Sequence, residues 1–178
     1  MSYNKMITIA MLILFSFVLI GFAADNPEYV GSSKCKACHN SDKSGAQFKK
    51  WSSEKHSKAY TDLKTDNAKK KAEAMGVKDP LTDEKCLTCH TTAFGAKNVA
   101  DSYKIDEGVG CEACHGPGSL YRKNKVMKDQ KAAVAAGMII PDEKTCKNCH
   151  KADIKGHDGT FKDFKTEYAK IAHPTPKE

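Results

Sequence analysis

The sequence predicts a mainly α-helical domain with long loops, built around a core that its side chains alone do not supply. Three observations carry this expectation. Apolar residues recur at helical spacing in several short stretches, and no stretch alternates with the period of a strand. Large apolar residues are sparse after the first 23 positions, and 29% of the chain is charged, so a core of ordinary size is hard to bury. All eight cysteines fall into four copies of one five-residue pattern.

The helical stretches follow in order. Residues 47–63 place Phe48, Trp51, Ala59 and Leu63 among charges. Residues 67–75 favour helix and stop at Gly76, a C-cap position. Thr82, Asp83 and Glu84 open a short helix into the second cysteine pattern, and Pro141, Asp142 and Glu143 open another into the fourth. Both have acids in the first turn, as helix N-termini prefer. Residues 130–136 end at Gly137. Phe161, Phe164, Tyr168 and Ile171 define an amphipathic last helix.

Residues 1–23 read as a secretory signal: Lys5, an apolar run from Met6 to Phe22, and small residues at Gly21 and Ala23. The mature chain, 24–178, is one domain. Export places it in the periplasm; an uncleaved leader, whose run is near the lower limit for a span, would anchor it to the membrane instead. The formal net charge is +7, and loss of Lys5 leaves +6. The lysines are spread along the chain without a nucleic-acid motif, so nucleic acid is not an expected partner. They read as a solubilising surface with a docking patch for an acidic redox partner.

The four patterns are Cys35-x-x-Cys38-His39, Cys86-x-x-Cys89-His90, Cys111-x-x-Cys114-His115 and Cys146-x-x-Cys149-His150. This is the c-type haem attachment motif. On a helical turn both thiols lie on one face, in reach of the porphyrin vinyls, and the histidine four residues on reaches the iron. Zinc binding, thiol exchange or a disulfide scaffold leaves the histidine after every pair unexplained. Four covalent haems would supply the missing core, giving a small tetrahaem fold whose apoprotein is poorly folded.

The motif histidines supply one axial ligand per iron, leaving His56, His157 and His173 for the opposite sides. Three cannot serve four haems. His56 and His173, at the end of an amphipathic helix before Pro174, suit ligation. His157, in the polar KGHDGT stretch, reads as a solvated loop residue. Among methionines, Met75 and Met138 sit in apolar settings, as packing residues do. Met127 lies in a basic stretch where packing does not explain it. Lys125 would have to lose its proton, against an ordinary value of about 10.4.

Four segments resemble the tetrahaem cytochrome c-554 family of nitrifying bacteria and its relatives: YVGSSKCKACH at 29–39, Trp51 to Ala59, GVGCEACHGPG at 108–118, and IAHP at 171–174. The resemblance implies that His56 is the distal ligand of the third haem and His173 that of the fourth. It implies a five-coordinate second haem on His90. In that pattern the first haem takes a histidine from the position that is Lys125 here, so His39 with Met127 is the expected ligand pair.

The expected function is electron transfer between redox proteins, with iron potentials tuned by ligand type and burial. The alternative is reduction of nitric oxide or hydroxylamine at an open second haem. A gas sensor would require an output domain, for which there is no room. No acid–base or nucleophile constellation marks a catalytic residue.

Overall fold

The computed structural model describes residues 26–151, 154, 157 and 163–173. The leader, Phe161 and Pro174 lie outside the described residues. No described helix is long and apolar enough to cross a membrane.

The helices are α1 (Ser32–His39), α2 (Gln47–Ser53), α3 (Ala59–Asp62), α4 (Asp66–Ala74), α5 (Glu84–His90), α6 (Cys111–His115), α7 (Asn124–Met127), α8 (Gln130–Ala135), α9 (Glu143–Lys147) and α10 (Phe164–Ile171). Short 3-10 turns cover Asp42–Ser44, Lys55–Lys58 and Ile105–Glu107. Among the described residues, β pairing is confined to one parallel bridge between Tyr29 and Val99.

Caps place most boundaries where the sequence predicts them. Thr65 accepts the Ala68 N–H to start α4, and Gly76 follows its end at φ +72°. Asp83 accepts the Lys85 N–H at the start of α5. Asp142 and Thr145 form a reciprocal capping box on α9. Asp163 accepts the Thr166 N–H and starts α10 at Phe164.

The expected helix over 47–63 is broken. Glu54 is extended (ψ 166°), separating α2 from the Lys55–Lys58 turn. Ser52, Ser53 and Ser57 direct their hydroxyls to backbone carbonyls, with Ser57 Oγ donating to Glu54 O at 2.8 Å. Such bonds compete with helical propagation. The break turns the segment toward the third attachment motif. The Val109 N–H donates to His56 O at 2.9 Å, and Trp51 Nε1 donates to Val109 O at 2.9 Å. Gly108 (φ +69°) makes this approach possible, since a Cβ there would lie 2.8 Å from His56 O.

Glu112 joins the two ends of the domain. It lies between the cysteines of α6 and is 2% exposed. Its carboxylate accepts the Val30 N–H (2.9 Å), the Gly31 N–H (2.7 Å) and the Gly118 N–H (2.6 Å). Beside it, Ser32 N–H donates to Glu107 Oε2, and Cys111 N–H donates to Ser32 Oγ at 3.2 Å. The segment leading into α1 is thus fastened to α6, 81 positions later. Burial pushes the Glu112 carboxyl up, and the three amides oppose that by favouring the charged form.

The buried apolar side chains among the described residues are Val30, Leu63, Ala72, Val77, Leu87, Ala93, Tyr121 and Ala133. Three of these are alanines, too little volume to hold a domain of this length together. Two outcomes are expected. Haem-free protein loses most of its helical far-ultraviolet circular dichroism. Glu112→Ala, which strands three buried amides, lowers the stability of the haem-loaded protein by about 3 kcal/mol or more in denaturant titration.

Candidate functional site

Each cysteine pair sits on one helical turn. α1, α5 and α6 run through their motifs to the histidine. In the fourth, α9 ends at Lys147, but His150 N–H still reaches Cys146 O at 2.9 Å, continuing the turn through the histidine. Two motif rings are held from behind. His90 Nδ1 donates to Ala59 O at 2.7 Å, and His115 Nδ1 donates to Ile139 O at 3.2 Å. A carbonyl only accepts, so the proton sits on Nδ1 and the Nε2 lone pair faces outward, free to bind a metal.

Three of the motif histidines face a second imidazole. His56 faces His150, His157 faces His90, and His173 faces His115, each with ring centroids 5.9 Å apart. The ring planes are inclined at 73°, 57° and 44°, so none of these is a stacked pair. A first-row metal between two imidazoles separates the centroids by roughly 6 Å, since each metal–nitrogen bond is about 2 Å and each ring adds about 1 Å. Three pairs therefore hold the separation that an axially ligated iron requires.

The imidazoles are grouped differently from the expected pairing at three points. His56 faces the fourth motif histidine, not the third. Its backbone accepts the Val109 N–H beside the third motif, but its ring lies next to that of His150. His173 faces the third motif histidine, not the fourth. His157 was expected to be a solvated loop residue and His90 to have an open side; instead the two rings face each other. The His157 N–H donates to Ile154 O at 3.2 Å, and the residue stays exposed. The signal for His157 was the histidine count, which left one imidazole per motif for three of four; loop polarity outweighed it.

His39 is the remaining histidine. It lies within electrostatic reach of His115 and His173, lowering both. Met127 ends α7 half-buried, and Lys125 two positions earlier is exposed. Tyr121, buried in the loop leading to α7, hydrogen-bonds Gly116 O at 2.7 Å and lies close enough to Cys35 to feel its charge.

The thiols order the four motifs in space. Cys35 and Cys111 share a hydrogen bond that raises Cys35 and lowers Cys111. Burial pushes Cys149 up to about 12, assisted by the neighbouring Cys89 thiol, with which it is hydrogen-bonded. Burial pushes Cys114 up to about 11, with Cys146 adding to the shift. The attachment turns thus run first, third, fourth, second.

Among the described residues no group of three or more His, Cys, Asp and Glu side chains converges as a metal cage. Imidazoles in opposed pairs, thiols on helical turns and a sparse apolar core suit a flat macrocycle. They do not suit a zinc site, which gathers four ligands around a point. Fold and site together define a c-type cytochrome.

Known proteins agree. The family model described as "Cytochrome c554 and c-prime" matches residues 34–116. Cytochrome c-554 of Nitrosomonas europaea is 34% identical over 148 residues, covering 72% of this chain. The alignment spans 59% of that relative's length. The structure of the reduced state of cytochrome c554 from Nitrosomonas europaea superposes with a TM-score of 0.55 at 28% identity, covering 83% of this chain and 79% of that one. The chain belongs to the cytochrome c-554 family, and its cofactor is covalently bound c-type haem.

Burial holds His56, His115 and His173 below the ordinary imidazole value of 6.5. The unfolded chain then takes up protons that the folded chain refuses, so stability falls as pH drops below about 6.5. Acid titration followed by denaturant melting is expected to show that loss, with little change between pH 7 and 8.

Proposed function

We propose that the chain is a periplasmic tetrahaem c-type cytochrome that carries electrons between redox proteins. The observation that carries this reading is the set of three imidazole pairs at 5.9 Å on attachment turns whose thiols touch in sequence. Haem iron, when bound, supplies a one-electron couple whose potential follows its axial ligands. The protein's part is to hold the rings neutral and oriented and to keep neighbouring centres adjacent. Burial does the first, and the Nδ1–carbonyl bonds of His90 and His115 do the second. The Cys35–Cys111 and Cys89–Cys149 contacts do the third. The charged start and apolar run of residues 1–23 support export.

We assign His56 and His150, His157 and His90, and His173 and His115 as axial pairs, and His39 with Met127 at the first haem. With six histidines paired, the first position has no imidazole left. Met127 is half-buried on the segment that follows Tyr121, which lies close to Cys35, whereas Lys125 is exposed. A thioether ligand raises the potential of its haem, making the first centre the electron-accepting end of the row.

Electron paramagnetic resonance of the oxidised protein, with and without nitric oxide, tests the set. Four low-spin centres without a nitrosyl signal are expected. His157→Ala converts one centre to high spin and admits nitric oxide there. Met127→Ala abolishes a methionine-type near-infrared band and lowers one reduction potential; an unchanged spectrum refutes the Met127 assignment.

A further inference from the structure

We propose that the outer face of α1 is the docking site for an acidic redox protein, so that electrons cross at the first-motif end of the row. This rests on the electron-carrier reading and names the place and chemistry of one partner.

Ser33, Lys36, Ala37 and Asn40 recur at i, i+3, i+4 and i+7, so they share one face of α1, while Cys35, Cys38 and His39 face the opposite way. That outer face borders a shallow, open surface depression, with Asp42 and Lys49 on its other rim. A partner seated there is about one helix diameter, roughly 10 Å, from the attachment side. Cys38 is the exposed cysteine of the eight, so the first attachment turn reaches the surface.

The charge around this end is one-sided. Residues 34–50 hold five lysines against one acid. Lys34, Lys36, Lys43 and Lys49 are exposed. Asp42 is tied to Lys49 at 2.9 Å, and Lys36 Nζ is held 5.4 Å over the Phe48 ring. At the other end of the row the attachment segment itself is acidic. Residues 79–90 hold three acids against one lysine, and Asp83 and Asp79 lie close to Cys86. A negatively charged partner is drawn to the first end more than to the second. Such a field orients encounter and raises the association rate more than the affinity.

The haem-loaded protein is tested with reduced flavodoxin, an acidic one-electron donor, by stopped flow. The triple variant Lys34→Glu, Lys43→Glu, Lys49→Glu is compared with Lys69→Glu, Lys70→Glu, Lys78→Glu, which changes net charge equally on and beside α4. The first variant is expected to lower the second-order rate constant at low salt about 10-fold or more and to flatten its salt dependence. The second is expected to lower it less than about 2-fold. Unchanged haem spectra and potentials separate lost docking from lost haem. Equal losses in both variants, or none in the first, overturn the proposal. So does loss of binding to anionic phospholipid vesicles in the first variant with flavodoxin reduction intact, which would make the face a membrane contact. Failure of the wild-type protein to undergo reversible reductive titration with dithionite would instead overturn the electron-carrier reading.

Discussion

The carboxylate of Glu112 is the interaction on which the arrangement of the other parts depends. It sits inside the third cysteine pair and gathers the amides of Val30, Gly31 and Gly118. Few apolar side chains are buried, so hydrophobic packing cannot by itself hold α1 against α6. A charge-assisted hydrogen bond to a buried acceptor is stronger than a neutral one, and three on one group fix its position in all directions. The contact between the Cys35 and Cys111 thiols follows from this clamp. Gly31, at φ +88°, is needed because a Cβ there would meet Glu107 Oε1 at 2.8 Å.

Around that clamp the structure solves a ligand shortage. Four motifs need opposite ligands, and three histidines are available. Each of the three is carried by a different kind of element: a 3-10 turn for His56, a loop turn for His157, and the exit of α10 for His173. None comes from the helix that bears its partner. Each pair brings a distant segment beside an attachment turn. Among the described residues, the first motif, at the end of the row, has no imidazole paired with His39 in this way.

Much of the local architecture was legible. The starts at Asp83 and Asp142 and the stop at Gly76 were readable because capping is a contest between a side chain and its own nearby backbone. The motif histidines were readable because cysteine and histidine share one helical turn. Expectations and structure part where the deciding contact is remote. The helix over 47–63 had the right period, but hydroxyls at 52, 53 and 57 and the bond from Val109 to His56 O favoured a break. The polarity around His157 correctly indicated exposure, yet said nothing about which face the ring would meet.

The sequence by itself determined the cofactor class, the four attachment motifs, the count of three histidines beyond them and most helix ends. All of these depend on residues within a turn of one another or on a count. Which distal histidine meets which motif, and the order first, third, fourth, second, were decided only by the tertiary structure. Those choices depend on chain reversals closed by contacts such as Glu112 to Gly31 and Val109 to His56, between residues 81 and 53 positions apart. The spacing of a motif along the chain carries no information about which of several equivalent imidazoles a long loop will return to it.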